Sequence, residues 1–545
     1  MPAHFGERPA VILDDVSFNW PDGSSQFEHL SAVFNAGRTG LIGDNGQGKS
    51  TLLRLIAGEY APSSGRIILS GANRVAYLPQ HITLRTEATV ADLLGITPIL
   101  EAITAVENGG LEPSYFDTIA DDWDIAARSV AALEAIDTVS DLERSVATLS
   151  GGETMLIALT GLKIGGGISL LDEPTNNLDR VTRERLYGEI ATWPGTLIVV
   201  SHDIALLELM NATAELRYGA LSVYGGAYHA YCEYVAQQQQ AALQAVRSAT
   251  AELKREKTQR IKEQERVAHS ERQARKDAAN KRFLPGVLDH RKNRAEKAQG
   301  SNKQLLLARE AAAAERVAVA ESALRENLAI SIDLPDPDVP PSRRIATLTS
   351  SDGREFIIQG PERIAITGDN GVGKTLLLER ALAAAGSRVL PAGMESPQVA
   401  AARLVLHTDR VGYLPQRLDT SHDDLSVLDY LLLKLRGEAA SPDPAITPGK
   451  MRHRLARFLI RGDAVFRPLG SLSGGERFRV ELARLLLAEP PYQLLILDEP
   501  TNNLDLNTVE QLIQALATYR GAVLVVSHDA NFLNRIAVTL NFELP

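Results

Sequence analysis

Short apolar runs alternate with amphipathic stretches over residues 1–230, and the same pattern returns over 341–545. "TGLIG" (39–43) and "IAITG" (364–368) are compact apolar runs, each followed by a glycine-rich turn and a stretch with helical apolar spacing. "ISLLDE" (168–173) and "LLILDE" (494–499) are apolar, apart from Ser169, until they end on two carboxylates. Runs of this length, without alternation, predict strands buried on both faces, as in parallel sheets covered by helices. Both regions therefore read as α/β domains with mainly parallel central sheets.

The middle of the chain has a different pattern. "AQQQQAALQAVRSATAELKREKTQRIKEQERVAHSERQARKDAAN" (236–280) is rich in Ala, Gln, Glu, Lys and Arg and lacks Pro and Gly, which favours one long exposed helix. "KRFLPGVLDHRKNRAEKAQG" (281–300) interrupts it, with Pro285 and Gly286 marking a turn. A second helix is expected from "KQLLLAREAAAAERVAVAESALREN" (303–327), and the four prolines of "DLPDPDVPPSRR" (333–344) end the insert. The expected organisation is a first α/β domain at 1–235, with a short insertion around 93–135, a helical hairpin at 236–335 with its tip near 281–297, and a second α/β domain at 341–545.

The two α/β regions are copies. "GDNGQGKST" at 43–51 recurs as "GDNGVGKTL" at 368–376, "YLPQ" at 77–80 recurs at 413–416, "LSGGE" at 149–153 recurs at 472–476, and "VVSHD" at 199–203 recurs at 525–529. The offsets, 325, 336, 323 and 326 residues, are nearly constant and the order is kept, which identifies a duplication.

Composition narrows the setting. At 545 residues, 44% of them apolar, the chain holds enough material for several globular units. The net charge of −11 argues against general coating of nucleic acid but leaves room for a local basic patch. A single cysteine, Cys232, excludes an intrachain disulfide and a cysteine-rich metal site and fits a reducing, cytoplasmic setting. The start of the chain lacks the basic-then-apolar pattern of a signal peptide, and no apolar run approaches the roughly 20 residues needed to cross a bilayer. No membrane domain is expected.

The repeated motifs carry phosphate chemistry. Gly43, Gly46 and Gly48, and Gly368, Gly371 and Gly373, let backbone N–H groups curve around phosphate oxygens. Lys49 and Lys374 supply positive charge, while Ser50 and Thr375 offer a hydroxyl to Mg²⁺. Asn45, Thr51 and Asn370 belong to the same loops as nucleotide-binding candidates. Asp172 and Asp498 are placed to stabilise Mg²⁺ and phosphate; Glu173 and Glu499 are placed to polarise an attacking water. Gln80 and Gln416 are candidates for coupling metal occupancy to movement. His202 and His528 are candidates for orienting the γ-phosphate or water. The "SGG" triplets, Ser150–Gly152 and Ser473–Gly475, offer nests of N–H groups at potential helix starts.

In this order, phosphate loop, "YLPQ", "LSGGE", "LLDEPTNNLD" and "VSHD" resemble an ATP-binding-cassette ATPase twice over. Tandem cassettes joined by a charged helical insert resemble the ABC-F family of ribosome-associated ATPases, over nearly the whole chain. The resemblance implies two head-to-tail cassettes closing over two ATPs, with the hairpin entering the ribosome near the exit-tRNA site and the peptidyl-transferase centre. It implies composite sites: Gly43–Ser50, Asp172, Glu173 and His202 with Ser473–Gly475, and Gly368–Thr375, Asp498, Glu499 and His528 with Ser150–Gly152. It gives Trp20, 23 residues before Gly43, the position of an adenine-stacking aromatic; the alternative is a packed core aromatic. No counterpart is assigned in the second copy, where Phe356 lies on a poorly matching segment.

The copies are not equivalent. Leu156 stands where the second copy has Arg479, and the signature-to-carboxylate spacing is three residues shorter in the first. The insertion adds only 13 residues between Gln80 and Ser150 relative to Gln416 and Ser473, so any arm of the kind seen in ABC-F proteins is short. At the hairpin tip, Lys281, Arg282, Arg291, Lys292, Arg294 and Lys297 face two acidic residues, with Phe283 available for stacking. These are candidates for contact with ribosomal RNA or tRNA; a solvated hairpin tip is the alternative. The expected function is an ATP hydrolase, monomeric with its cassettes paired within one chain, that modulates translation or protects ribosomes from antibiotics. An ATPase subunit serving a separate membrane exporter and a DNA-repair ATPase are the competing functions.

Overall fold

The computed structural model describes residues 10–71, 74–80, 88–176, 178–279, 285–322, 335–369, 371–386, 402–437, 447–458, 460–502 and 504–544, and the statements below concern these. The chain forms two compact units, Met1–Tyr228 with Leu328–Pro545, and His229–Asn327.

The first repeat opens with β1 (Ala10–Asn19), β2 (Ser25–Phe34) and β3 (Gly37–Ile42), then α1 (Lys49–Ala57), β4 (Ser64–Ser70) and β5 (Val75–Leu78). Short helices α2 (Val90–Leu94), α3 (Thr97–Glu107), α4 (Pro113–Ile119) and α5 (Ile125–Ala135) precede α6 (Gly151–Gly165). The repeat closes with β6 (Ile168–Asp172), α7 (Arg180–Ala191), β7 (Thr196–Val200), α8 (Ile204–Leu207), β8 (Ala212–Arg217) and β9 (Ala220–Gly225). Its main sheet runs β5-β6-β7-β3-β8-β9 and is parallel except for the β8–β9 hairpin, and a small antiparallel sheet runs β2-β1-β4.

The second unit holds helices α9 (Tyr228–Ala279) and α10 (Pro285–Ser322). Ion pairs from Arg260 to Glu310 (2.6 Å) and Arg316 to Glu252 (3.0 Å) align them antiparallel, around buried Leu306 and Ala313. Helix α10 starts 18 residues before the expected one at 303. Pro285 does not sit in a turn. It is the first residue of the helix, where its missing N–H has no intrahelical acceptor to lose.

The second repeat follows as β10 (Arg344–Thr349), β11 (Glu355–Gln359), β12 (Arg363–Thr367), α11 (Lys374–Ala384), β13 (Arg403–Leu406) and β14 (Val411–Leu414). Helices α12 (Val427–Gly437), α13 (Pro448–Leu455) and α14 (Gly474–Leu486) lead to β15 (Leu494–Asp498), α15 (Leu506–Thr518), β16 (Ala522–Val526), α16 (Ala530–Arg535) and β17 (Leu540–Glu543). Its sheet order, β14-β15-β16-β12-β17, reproduces the first from β5 to β8.

The apolar strand runs are buried on both faces because successive side chains feed different cores. In the first repeat Ile168, Leu170, Ile198 and Val200 face α1 and the small sheet, while Leu171, Leu197 and Val199 face α6 and α7. In the second, Leu494, Ile496, Leu524 and Val526 go one way and Leu495, Leu497, Val523 and Val525 the other. The phosphate-loop strands β3 and β12 sit beside β7 and β16, so the functional loops emerge together at the carboxyl edge of the sheet.

The apolar start of the first signature helix has a packing cause. Thr154–Gly161 of α6 are all buried, and Ile157 joins Val90, Leu94, Ile125 and Leu133 in a separate small core built with α2 and α5. Helix α2 approaches so closely that a Cβ on Gly161 would lie 2.6 Å from the Leu94 carbonyl oxygen. The second repeat fills the matching place with polar groups. Tyr430 of α12 donates to Glu481, and Arg484 donates to Glu481 at 2.7 Å and to the Tyr413 carbonyl at 3.1 Å. Leu93, Ala158 and Gly161 stand at the positions of Tyr430, Glu481 and Arg484. The polar trio and the apolar close approach are alternative solutions to one packing problem, and exchange of that kind is often energetically neutral.

Gly161→Ala should therefore destabilise the chain by about 1–3 kcal/mol in denaturant unfolding, despite alanine's better helix propensity. Gly188→Ala, on the open face of α7 with no atom within 4 Å of the added Cβ, should stabilise it by about 0.5–1 kcal/mol. Equal behaviour of the two variants would remove the close-approach explanation.

Candidate active sites

Each phosphate loop is held by backbone geometry that side chains cannot share. Gly43 has φ 154° and Gly48 φ 95°, and a Cβ would lie 2.3 Å from the Leu216 carbonyl oxygen at the first and 2.7 Å from the Phe27 ring at the second. Helix α1 begins at Lys49, so the N–H groups of its first turn point out of the helix with no acceptor inside it. Lys49 Nζ donates to the Gly43 and Asp44 carbonyls at 2.7 and 3.1 Å; Lys374 Nζ does the same to Gly368 and Asp369 at 2.6 and 3.0 Å. Both lysines are buried, which lowers their pKa.

A cavity of about 470 Å³ gathers the first site. Asn45, Gly46, Gly48, Lys49, Ser50, Thr51, Gln80, Asp172, Glu173 and His202 line it, together with Gly474 from the second repeat. The two repeats also bond directly. The Asn45 N–H donates to Asp505 Oδ2 at 3.0 Å, and Asn507 Nδ2 donates to Asp44 Oδ1 at 2.5 Å. Asp505 meanwhile caps α15 through the Thr508 N–H at 2.8 Å. Burial works against its charge, yet the hydrogen bonds from Asn45 and Thr508 hold the carboxyl below its ordinary range.

At the strand ends, Tyr77 donates to Asp172 Oδ2 at 3.1 Å and leaves Oδ1 buried with no partner among the described residues. Asp498 repeats this: Tyr413 lies 3.5 Å from Oδ2, the Thr375 hydroxyl bonds the carboxylate, and Oδ1 is buried without a partner. The described residues contain no cluster of three or more His, Cys, Asp or Glu able to cage a metal alone. A buried carboxylate oxygen beside a hydroxyl fits a hard cation whose remaining ligands come from phosphate and water.

Glu173 and Glu499 adopt left-handed backbone, φ 50° and 46°, at a cost of about 1–2 kcal/mol each. Their N–H groups bond the carbonyls of Val200 and Val526 at 2.9 Å, so the neighbouring strand end fixes the turn. Burial pushes Glu173 up to about 8 against the pull of Lys49, and Glu499 up to about 7 against Lys374. Burial, then the nearby lysines, pull His202 down to about 3 and His528 to about 4, so both imidazoles are neutral near pH 7. His202 Nε2 stands 3.2 Å from Glu173 Oε1. His528 Nε2 is 3.5 Å from Glu499 and accepts from Lys374 Nζ at 2.9 Å.

The remaining candidates divide. Ser150 and Ser473 are N-caps of α6 and α14 in reciprocal capping boxes with Glu153 and Glu476, which aligns the Gly151–Gly152 and Gly474–Gly475 amides. Gln416 is exposed, and Gly371 and Gly373 keep the left-handed backbone of the first loop. Trp20 lies outside the cavity lining, its ring edge-on to Phe18 (5.2 Å) and Tyr60 (6.0 Å). It reaches the loop through Gln26, which accepts from the indole at 3.2 Å and donates to the Gln47 carbonyl at 3.2 Å. Asn370, Lys281, Arg282 and Phe283 lie outside the described residues, as do the side chains of Arg291, Lys292, Arg294 and Lys297 within α10. Sequence reasoning missed Gln26, Tyr77, Asp505 and Asn507. Two of them carried a signal, Tyr77 as the tyrosine of the repeated "YLPQ" and Asp505 as a helix cap repeated after "PTNN".

In nucleotide-free, metal-free protein the raised glutamates set a pH slope. Unfolded glutamate ionises near pH 4.5, so the folded state binds more protons between there and about pH 8. The stability they contribute is full below that window and is lost as pH rises through it. The Glu173→Gln/Glu499→Gln chain lacks the slope. Its melting temperature should gain on the parent's between about pH 5.5 and about pH 8.5, and a constant gap would contradict the buried-glutamate assignment.

Residues 27–176 and 352–502 match the family described as ABC transporter. The tylosin resistance ATP-binding protein TlrC of Streptomyces fradiae is 31% identical over 536 residues, covering 92% of this chain and 92% of TlrC. The energy-dependent translational throttle protein EttA of Mycobacterium tuberculosis is 28% identical over 562 residues, covering 96% of this chain and 87% of EttA. Among solved structures, an archaeal ribosome recycling factor, aABCE1, in complex with the stalk protein aP1, aligns with TM-score 0.53 and 18% identity over 99% of this chain and 87% of that one, a likeness of fold. The chain belongs to the ABC ATPase family and is an ATP hydrolase of the tandem, ABC-F type.

Proposed function

We propose that this ATPase binds ribosomes and uses ATP-dependent closure of its two cassettes to set the position of the helical hairpin near the exit-tRNA site and peptidyl-transferase centre, modulating translation or protecting the ribosome from an antibiotic. The observation that carries this reading is a hairpin of two long helices, joining two cassettes along the chain, with Lys254, Arg255, Lys262 and the Arg266–Glu263 ion pair around one concavity of α9. Clustered cations on a helix face suit a phosphate backbone even on an acidic chain. Among the described residues no helix is long and apolar enough to cross a membrane. The names of EttA and TlrC, throttling of translation and resistance to tylosin, support the same direction. The tip residues 281–297 are proposed as the RNA-facing end, with the parts of the chain divided at 1–235, 236–335 and 341–545. The protein is proposed to act as a cytoplasmic monomer.

In the proposed cycle each phosphate loop holds ATP through its amides and lysine, and Trp20 faces the adenine in site one. Mg²⁺ would be held by Ser50, Gln80 and Asp172 in site one and by Thr375, Gln416 and Asp498 in site two, where it neutralises phosphate charge. Glu173 and Glu499 polarise the attacking water, His202 and His528 orient the γ-phosphate, and the signature amides of the opposite cassette complete each site. ATP is then a ligand of the closed state, and hydrolysis removes that bias.

Ribosome co-sedimentation of the Glu173→Gln/Glu499→Gln chain tests this. ATP should increase the bound fraction at least about tenfold over nucleotide-free protein, and the complex should persist at physiological salt. No nucleotide effect, or no ribosome binding, would overturn the reading and favour the exporter-subunit alternative.

A further inference from the structure

The loops that end in His202 and His528 belong to different ATP sites, and one side chain lies between them. Arg183, on α7 of the first cassette, has a side chain only 16% exposed. Its Nη1 reaches the His528 carbonyl of the second cassette at 3.5 Å, and its Nη2 reaches the Thr175 and Leu178 carbonyls at 3.4 and 3.5 Å. Its Nε stands 3.9 Å from Asp203 Oδ2 and has no hydrogen-bond partner among the described residues. Asp203 follows His202 directly; it caps α8 through the Ala205 and Leu206 N–H groups and accepts the Tyr187 hydroxyl at 2.5 Å. The charge of Arg183 is also felt by Asp529 and Glu499 of the second cassette.

The device exists once. Aligning Asp179 with Asp505 puts Val509 at the position of Arg183 and Ile513 at that of Tyr187. Val509 packs partly buried against the apolar core, so that position offers the first switch loop no reciprocal cation. The geometry is that of a shared contact, not a locked one. Every acceptor lies at the outer edge of hydrogen-bond range, and a guanidinium offers five donors in a fixed fork. A shift of roughly 1 Å in the His202–Asp203 loop would close the Nε–Asp203 hydrogen bond to ordinary length and pull the fork from the His528 carbonyl.

We propose that Arg183 is a positioning residue that couples the two ATP sites, transmitting the setting of the His202–Asp203 loop in site one to the His528 loop in site two. It belongs to neither phosphate loop and acts through the backbone of the switch loops. This route of coupling runs through one arginine, in addition to the shared closure of the cassettes, so its loss weakens the coupling without removing either site.

The inference rests on the proposed roles of Glu173 and Glu499, and its test separates the two. Chains blocked singly by Glu173→Gln or Glu499→Gln report site two and site one. If the sites are independent, their two steady-state ATPase rates add up to the parent's. With Arg183 present, the sum should fall short of the parent rate by about fivefold or more; with Arg183→Gln the shortfall against its own parent should shrink at least about twofold, what remains being the coupling through cassette closure. Arg183→Lys should recover part of the shortfall, and melting temperatures would show whether any variant is merely unfolded. Should Arg183→Gln not fold, Arg183→Lys and Tyr187→Phe replace it, each predicted to shrink the shortfall. A sum equal to the parent's with Arg183 present, or the same shortfall without it, overturns the coupling. Residual hydrolysis in the doubly blocked chain would instead refute the glutamate roles. In that event cooperativity of ATP binding decides, with a Hill coefficient above unity that Arg183→Gln must lower.

Discussion

The hydrogen bond from the Asn45 amide to Asp505 joins the phosphate loop of one cassette to the start of a helix in the other, and the first site depends on it. The same carboxylate caps α15 through its other oxygen, so the helix start holds in place the acceptor that the loop uses. Gly474 enters the cavity from the same side. Cassette pairing and the shape of the first cavity are therefore linked: residues of two domains line it, and a ligand touching both would favour the paired state.

The copies meet this requirement with different side chains. The second signature helix anchors itself by the Tyr430–Glu481–Arg484 chain of polar contacts, the first by the close approach of α2 at Gly161. In site two Lys374 holds the switch histidine, while in site one His202 leans on Glu173. Duplication kept the backbone devices, the left-handed glutamate and the capped signature helix, and let the supporting contacts diverge. The two candidate sites share their carboxylates and backbone turns with different neighbours.

Much of this was legible in the sequence because it is written in local rules. Apolar runs ending in "DE" gave buried parallel strands, glycines at fixed spacing gave the phosphate loops, and "SGGE" gave capped helix starts. The start of α10 was misplaced because proline has two local meanings, turn and first helical residue, and only the continuing helix decides between them. The positive φ of Glu173 and Glu499 had no sequence signal, since it is imposed by the strand end next door. Gln26 and Arg183 were invisible for a related reason: each acts between segments far apart in the chain, and nothing beside them in sequence announces the partner.

The composite nature of the first site is the claim on which the rest stands, and one substitution addresses it. Gly474 belongs to the second cassette, and a Cβ there meets no atom within 4 Å, so Gly474→Asp should be tolerated by the fold while placing a negative charge where phosphate is expected. ATPase activity is to be measured with this change in the two singly blocked chains. The account predicts loss of turnover in the Glu499→Gln chain, which retains site one, and largely preserved turnover in the Glu173→Gln chain. The opposite pattern would place the second signature loop in the second site and contradict head-to-tail pairing.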